Sequence, residues 1–154
     1  MSTHVDDGVD LDELLCFAMY NASRALTARY RELLTPLGLT YPQYLVLLAL
    51  WNESPLAIGE LGHRLYLDSG TLSPLLKRLQ SLGLIDRSRS ADDERVVLVS
   101  LTDTGKDVRQ QLADVPEIIC DATGLSREGL AELRDQIEAV ASHVRASTNP
   151  TSTS

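Results

Sequence analysis

The sequence predicts a mainly α-helical chain carrying one small β-hairpin. Three observations point there. Apolar residues recur at helical spacing over most of the 154 residues. Between Ile58 and Leu82 a short helical segment, a tight turn and a longer helical segment follow one another, the helix-turn-helix pattern. Directly afterwards the period changes to that of strands, on either side of a charged tip. A helix-turn-helix continued by such a hairpin is a winged helix, and helices flank it at both ends.

The first of these is expected to start at Asp10, an N-cap with Glu13 three residues on. Leu11, Leu14, Leu15, Ala18, Ala22, Ala25, Leu26, Leu33 and Leu34 follow its period, and Pro36 and Gly38 end it. Cys16 then falls on the second turn. Thr40-Tyr41-Pro42-Gln43 opens another helix, apolar nearly all round through Trp51 and therefore expected at the centre of the core. Residues 52–55 read as a turn. Ile58 to Leu65 is the short helix of the reading unit and residues 69–82 the longer one, with Leu72, Leu75, Leu76, Leu79 and Leu82 as its apolar stripe and Gly83 as its C-cap.

Residues 85–89 and 96–101 make the hairpin, with Ser90-Ala91-Asp92-Asp93-Glu94 at its tip. Thr102 or Asp103 caps a long helix to about Asp121, interrupted near Pro116, and Ser126 caps a last one from Arg127 to about Ala146. The expected organisation is a flexible N-terminus (1–9), one winged-helix domain (10–146) and a disordered Ser/Thr-rich tail (147–154). Within the domain, residues 55–101 form the DNA-binding lobe. The helices at 10–35 and 102–146 come together as a dimer interface.

Composition narrows the function. No apolar run reaches the roughly 18 residues that span a bilayer, and the acidic start has no apolar signal segment, so membrane and export roles are not expected. Two cysteines far apart, Cys16 and Cys120, make neither a disulfide scaffold nor a metal site, and suggest a reducing, cytoplasmic setting. No cofactor is expected. The net charge of −8 argues at first against nucleic acid. Yet the stretch from Arg64 to Arg89 holds five cations against two anions, and the local field is the one a phosphate meets.

Within that stretch Ser69, Gly70, Thr71, Ser73 and Pro74 put small groups at the N-terminal end of the longer helix. A recognition helix contacts base edges from that end. Lys77 and Arg78, further along, suit phosphates. Arg87, Arg89 and Arg95 flank the hairpin, where a wing reaches a minor groove or the backbone, with Asp92 and Glu94 expected to hold Arg95 in position.

Cys16 reads either as a small core hydrophobe or as a redox trigger. Several tyrosines share its neighbourhood in sequence: Tyr20 at i+4, then Tyr30, Tyr41 and Tyr44. Phenolic hydroxyls donating to a thiolate favour the charged form, which is what a peroxide oxidises to sulfenic acid. Cys120 is the one other thiol that can condense with it. Tyr20 and Tyr44 are expected as core aromatics, and His4, His63 and His143 have no ligand role.

Leu15-Cys16-Phe17, Leu39-Thr40-Tyr41-Pro42-Gln43-Tyr44, Tyr66-Leu67-Asp68-Ser69-Gly70-Thr71-Leu72 and Asp92-Asp93-Glu94-Arg95 together resemble the MarR-type winged-helix repressors. More narrowly they resemble their organic hydroperoxide sensors, over roughly Leu11 to Arg145. The resemblance implies a homodimeric repressor, not an enzyme, that holds a pseudo-palindromic double-stranded operator when reduced and takes organic hydroperoxide as its oxidant. It implies that Cys16 is the peroxidatic cysteine, with Tyr30 and Tyr41 hydrogen-bonded near its sulfur. In two-cysteine members a cysteine on the long fifth helix of the partner resolves the sulfenate as an intersubunit disulfide, and Cys120 lies at a matching place. Single-cysteine members instead form mixed disulfides with small thiols.

Three other readings stand beside this one. A MarR-type repressor released by a phenolic ligand would need neither cysteine. A thiol peroxidase lacks support from any βαβ pattern. A non-specific architectural DNA-binder would show no preference for a palindrome.

Overall fold

The computed structural model describes residue 8 and residues 10–148. Most of the flexible N-terminus expected at 1–9 therefore lies outside the described residues, as does the expected disordered tail beyond Thr148. Ser147 and Thr148 themselves complete the last helix. The chain forms two compact units divided between Ala113 and Asp114.

In the first unit, the Asp10 carboxylate accepts the amide of Asp12 at 3.2 Å and caps one 3-10 turn, Leu11–Glu13. Leu14 is extended, and α1 then runs Leu15–Leu34. The continuous helix expected from Asp10 is thus broken at Leu14, and Cys16 sits in the first turn of α1 rather than the second. Gly38 ends the segment in the left-handed conformation, φ 69°. Helix α1 is amphipathic but almost uncovered: Leu34 is its buried residue, while Leu15, Phe17, Tyr20 and Leu26 face solvent.

Helix α2, Tyr41–Asn52, opens on a capping box in which the Thr40 amide donates to Oε1 of Gln43 at 3.0 Å. Its all-round apolar surface makes it the core element, with Tyr44, Val46, Leu47 and Leu50 buried. Indole Nε1 of Trp51 donates to the Gly105 carbonyl at 2.9 Å and ties α2 to the first turn of α5, Asp103–Gln111. At Gly105 an added Cβ would fall 2.0 Å from the Leu84 carbonyl oxygen, so this junction accepts only glycine.

The sheet has three antiparallel strands in the order β1-β3-β2. Strands β2 (Ile85–Arg89) and β3 (Val97–Leu101) form the expected hairpin, Ile85 pairing with Leu101 and Arg89 with Val97. Strand β1, Leu56–Ala57, pairs with Val99 and Leu98 and was not expected. Two residues are too short for any period to show. Between β1 and β2 lie α3, Ile58–Leu65, and α4, Ser69–Ser81, at the positions the helix-turn-helix pattern predicts. Leu61, Leu72, Leu76, Leu79 and Ile85 are buried beneath them. The predicted winged helix-turn-helix is the fold observed.

The second unit holds α6, Val115–Thr123, and α7, Arg127–Thr148. The expected long helix is broken at residues 112–114, ahead of Pro116. Proline lacks an amide that a first helical turn leaves unbonded anyway, so here it starts a helix instead of bending one. Gly124, φ 70°, ends α6, and the Ser126 hydroxyl accepts the Gly129 amide at 3.0 Å to cap α7. No residue of α7 is buried, although Leu133, Ile137, Val140 and Val144 form an apolar stripe along it.

Candidate functional site

The turn between α3 and α4 is tightly specified. The Leu67 amide donates to the Gly62 carbonyl at 2.9 Å. A Cβ at position 62 would meet the Leu67 carbonyl oxygen at 2.8 Å. Tyr66 takes the left-handed conformation, φ 54°, and the residue is 68% exposed just ahead of the helix that follows. Sequence reasoning named it only within the run that carries the resemblance and gave it no role; its positive φ, unusual for a non-glycine residue, sets it apart.

Helix α4 is capped by Asp68, whose carboxylate accepts the Thr71 amide at 2.7 Å. That hydrogen bond holds the Asp68 carboxyl below its ordinary value. Leu72, Leu76 and Leu79 fix the buried side, and so the exposed side follows from the helical period. Gly70, Pro74, Lys77 and Ser81, at i, i+4, i+7 and i+11, form its outermost line. Ser69, Thr71, Ser73 and Arg78 flank that line and are exposed as well. The whole predicted contact set on α4 thus shares one solvent face.

On the wing, Arg87, Arg89, Asp92 and Arg95 are all exposed, but their partners differ from expectation. Asp93, not Asp92 or Glu94, holds Arg95: Nε reaches Oδ1 at 3.1 Å and Nη2 reaches Oδ2 at 3.2 Å. The Arg95 amide also donates to Oδ1 of Asp93, at 3.0 Å. Asp92 instead places its amide on the Ser90 hydroxyl, and Glu94 offers its carbonyl to Nη1 of Arg89 at 2.7 Å. Linear spacing does not reveal which of the three tip acids takes the arginine. Gln80 is a second residue missed, its Oε1 accepting Nε of Arg87 at 2.8 Å. Arg64 is engaged by Glu53 and Glu60 on its own side of the head, so it adds little to the positive field that the residue count suggested.

The sensing residues are arranged otherwise than the sequence suggests. Cys16 is exposed, not a core residue. Tyr20 is exposed too, with the Arg24 guanidinium 5.6 Å above its ring, so it is no core aromatic; Tyr44 is. The Tyr30 and Tyr41 rings meet at 4.4 Å, and Tyr44 lies 5.8 Å from Tyr30. Burial, with Tyr41 and Tyr44 alongside, pushes the Tyr30 hydroxyl up to about 12, and burial raises Tyr41 as well. Both remain neutral hydrogen-bond donors at physiological pH.

This pair stands at the far end of α1 from the thiol. Cys16 and Tyr30 are fourteen residues apart on one helix, which at 1.5 Å per residue is about 21 Å. Within one chain the predicted hydrogen bonds from Tyr30 and Tyr41 to the Cys16 sulfur do not form.

Cys120 is in the second unit, on α6, the sixth helix rather than a long fifth. Its sulfur is half-buried and lies 3.9 Å from the Leu125 carbonyl oxygen. No group of three or more potential metal ligands occurs among the described residues. Nor is any single helix among them long and apolar enough to cross a membrane.

Comparisons with known proteins fit this geometry. The family described as transcriptional regulator SarA/Rot matches residues 29–112. The organic hydroperoxide resistance transcriptional regulator of Bacillus subtilis (strain 168) is 45% identical over 131 residues, covering 85% of this chain and 89% of the relative. Among solved structures, reduced AbfR bound to DNA is 38% identical with a TM-score of 0.72, covering 87% of this chain and 94% of that one. AbfR is a protein of Staphylococcus epidermidis. Its disulfide-formed structure is 36% identical with a TM-score of 0.60, over 85% and 92% of the two chains. This chain belongs to the MarR-type family of winged-helix transcriptional regulators.

Proposed function

We propose that the chain is a homodimeric repressor that grips a pseudo-palindromic operator when reduced and lets go when an organic hydroperoxide oxidises Cys16. The observation that carries this reading is the exposed thiol at one end of α1 with a pair of neutral phenolic donors at the other. Two copies of α1 running antiparallel about a dyad bring the first end of each beside the second end of its partner. Tyr30 and Tyr41 of one subunit then donate to the Cys16 sulfur of the other. The uncovered apolar residues of α1, and separately of α7, supply the surface such a dimer buries.

In the dimer each α4 enters a major groove, Ser69 to Pro74 towards base edges and Lys77 and Arg78 towards phosphates, with Arg87, Arg89 and Arg95 on the flanking backbone or minor groove. Half-sites are about 34 Å apart. Both heads must engage together, since specific binding exceeds non-specific by about 4–10 kcal/mol and a misplaced half-site loses much of that margin. The protein acts in the cytoplasm, and it is a switch rather than a catalyst. Oxidation repacks the helices around the new bond and changes the spacing of the two heads, and with it the affinity for the operator.

The chemistry balances. The Cys16 thiolate attacks the distal peroxide oxygen, the O–O bond breaks, and the alkoxide takes a proton to leave as the alcohol, giving Cys16–SOH. The Cys120 thiol of the partner then displaces water to form the Cys16–Cys120 disulfide. The likeness to disulfide-formed AbfR supports that second step. Oxidised protein run on a non-reducing gel tests it: a covalent dimer in wild type and none in Cys120→Ser is expected. Monomer in both, with DNA still released, would instead point to a small thiol pairing with Cys16.

One observation favours a second reading. An open, largely apolar groove of about 440 Å³ lies between α3 and α4, with His63, Tyr66 and Ser69 among its lining residues. A phenolic ligand seated there could release DNA without thiol chemistry. Release of the reduced protein by such a ligand, with both cysteines replaced by serine, would establish that route.

A further inference from the structure

The outermost line of α4 contains a pairing that the helix period makes unusual. Gly70 and Pro74 are four residues apart, and Pro74 is a proline inside the helix. Proline has no amide hydrogen, so the carbonyl of Gly70 has no donor four residues on, and the ring crowds that oxygen away from the helix axis. A Cβ at Gly70 would meet only Oδ1 of the Asp68 cap, at 3.4 Å, so no neighbouring element covers this turn on its Cβ side. Both residues are exposed, on the side opposite Leu72, Leu76 and Leu79.

We propose that the main-chain carbonyl of Gly70 reads a base edge directly, with the Pro74 ring beside it as an apolar contact, so that this pair sets operator specificity. The proposal rests on α4 being the DNA-reading helix. The chemistry names the target. In the major groove the donors that a carbonyl can accept are the amino groups of adenine and cytosine, and the one apolar feature is the thymine methyl. Because the Pro74 ring abuts the Gly70 oxygen, the pair selects an adenine or cytosine amino group and a thymine methyl on the same or neighbouring base pairs in each half-site. Ordinary helical carbonyls are weaker acceptors for such a contact, because an amide of their own helix already takes one lone pair.

A merely structural role for Pro74 predicts the opposite sign from a reading role. Pro74→Ala restores the amide and the internal hydrogen bond, so the fold should gain stability. The reading role says that specific DNA binding nevertheless falls. The test begins with full-length wild-type chain selecting duplexes from a random-sequence pool. Anisotropy titrations then compare wild type, Pro74→Ala and Gly70→Ala on the selected duplex. Further duplexes carry single adenines replaced by purine or cytosines by 2-pyrimidinone, which lack the amino group.

The expected result is one position per half-site where losing the amino group weakens wild type about three- to tenfold, the worth of one hydrogen bond. Pro74→Ala should bind the unmodified duplex more weakly by a similar factor and show no further loss at that position, with a melting temperature no lower than wild type. Identical amino-group sensitivity in wild type and Pro74→Ala would overturn the proposal, as would an equal loss on every duplex including random sequence. Failure of wild type to select any sequence would remove the DNA-reading function and this contact together. Loss of the coupling alone removes only the contact.

Discussion

Asp93 grips Arg95 with both carboxylate oxygens, at 3.1 and 3.2 Å, at the tip of the hairpin. The Arg95 side chain is 90% exposed, so the pair adds little to stability, as surface ion pairs generally do. Its effect is to aim a guanidinium outward. Replacing Asp93 by Ala should leave the thermal midpoint within a degree or two of wild type. Operator affinity should fall several-fold, and Arg95→Ala should cause a loss at least as large with a shallower salt dependence. Neither change should alter the rate of Cys16 oxidation. Unchanged DNA binding in Asp93→Ala would mean that the wing does not need its arginine oriented.

The bare apolar stripe on α7 makes a second claim. Ile137 and Val140 are 38% and 39% exposed, and burying such side chains is worth about 1.5–3 kcal/mol each. Ile137→Asp combined with Val140→Asp should yield a folded monomer by sedimentation velocity and circular dichroism. It should bind operator at least a hundredfold more weakly, because the two heads no longer engage together. A dimer that survives both charges would place the interface elsewhere.

Because Tyr30 cannot reach Cys16 along its own helix, complementation between subunits separates the two arrangements. A heterodimer pairing a Cys16→Ser subunit with a Tyr30→Phe subunit keeps one thiol, and that thiol faces an intact Tyr30 only if the tyrosine comes from the partner. Its oxidation by an organic hydroperoxide should match one wild-type site, whereas the Tyr30→Phe homodimer should react about tenfold more slowly, roughly the worth of one charge-assisted hydrogen bond. Slow oxidation in the heterodimer would mean that the tyrosine serves its own chain.

Tyr30 also carries a pH signature. Its hydroxyl is pushed up to about 12 by burial and by Tyr41 and Tyr44, while an unfolded tyrosine ionises near 10. The folded state therefore keeps this proton over a range in which the unfolded state releases it. Stability is fully present below pH 10 and declines as pH rises towards 12. Thermal melts from pH 9 to 12 should show that decline, and Tyr30→Phe should flatten it. An equally steep decline in Tyr30→Phe would assign it to other groups.

Helices and hairpin were legible because their apolar residues repeat over enough positions to define a period, as Leu72, Leu76 and Leu79 do. Strand β1 was not, since Leu56 and Ala57 are held as a strand by β3 and not by any pattern of their own. The exposed residues proposed to face DNA could be named from sequence, but not who holds them. Asp93 and Gln80 act across a tight tip and between α4 and β2, where linear spacing carries no information. The extended Leu14, and with it the place of Cys16 in its helix, depends on a local cap that competed with the periodic signal. What the sequence least discloses is that Cys16 and Tyr30 stand at opposite ends of α1, so that the proposed link between them needs two copies of the chain.

The most direct measurement is a gel shift of the reduced protein on the DNA upstream of its own coding sequence, titrated with an organic hydroperoxide. Wild type should bind before oxidation and release afterwards, recovering with dithiothreitol, while Cys16→Ser should bind equally well and remain bound. Release of Cys16→Ser at the same hydroperoxide concentration as wild type would contradict the account at its centre.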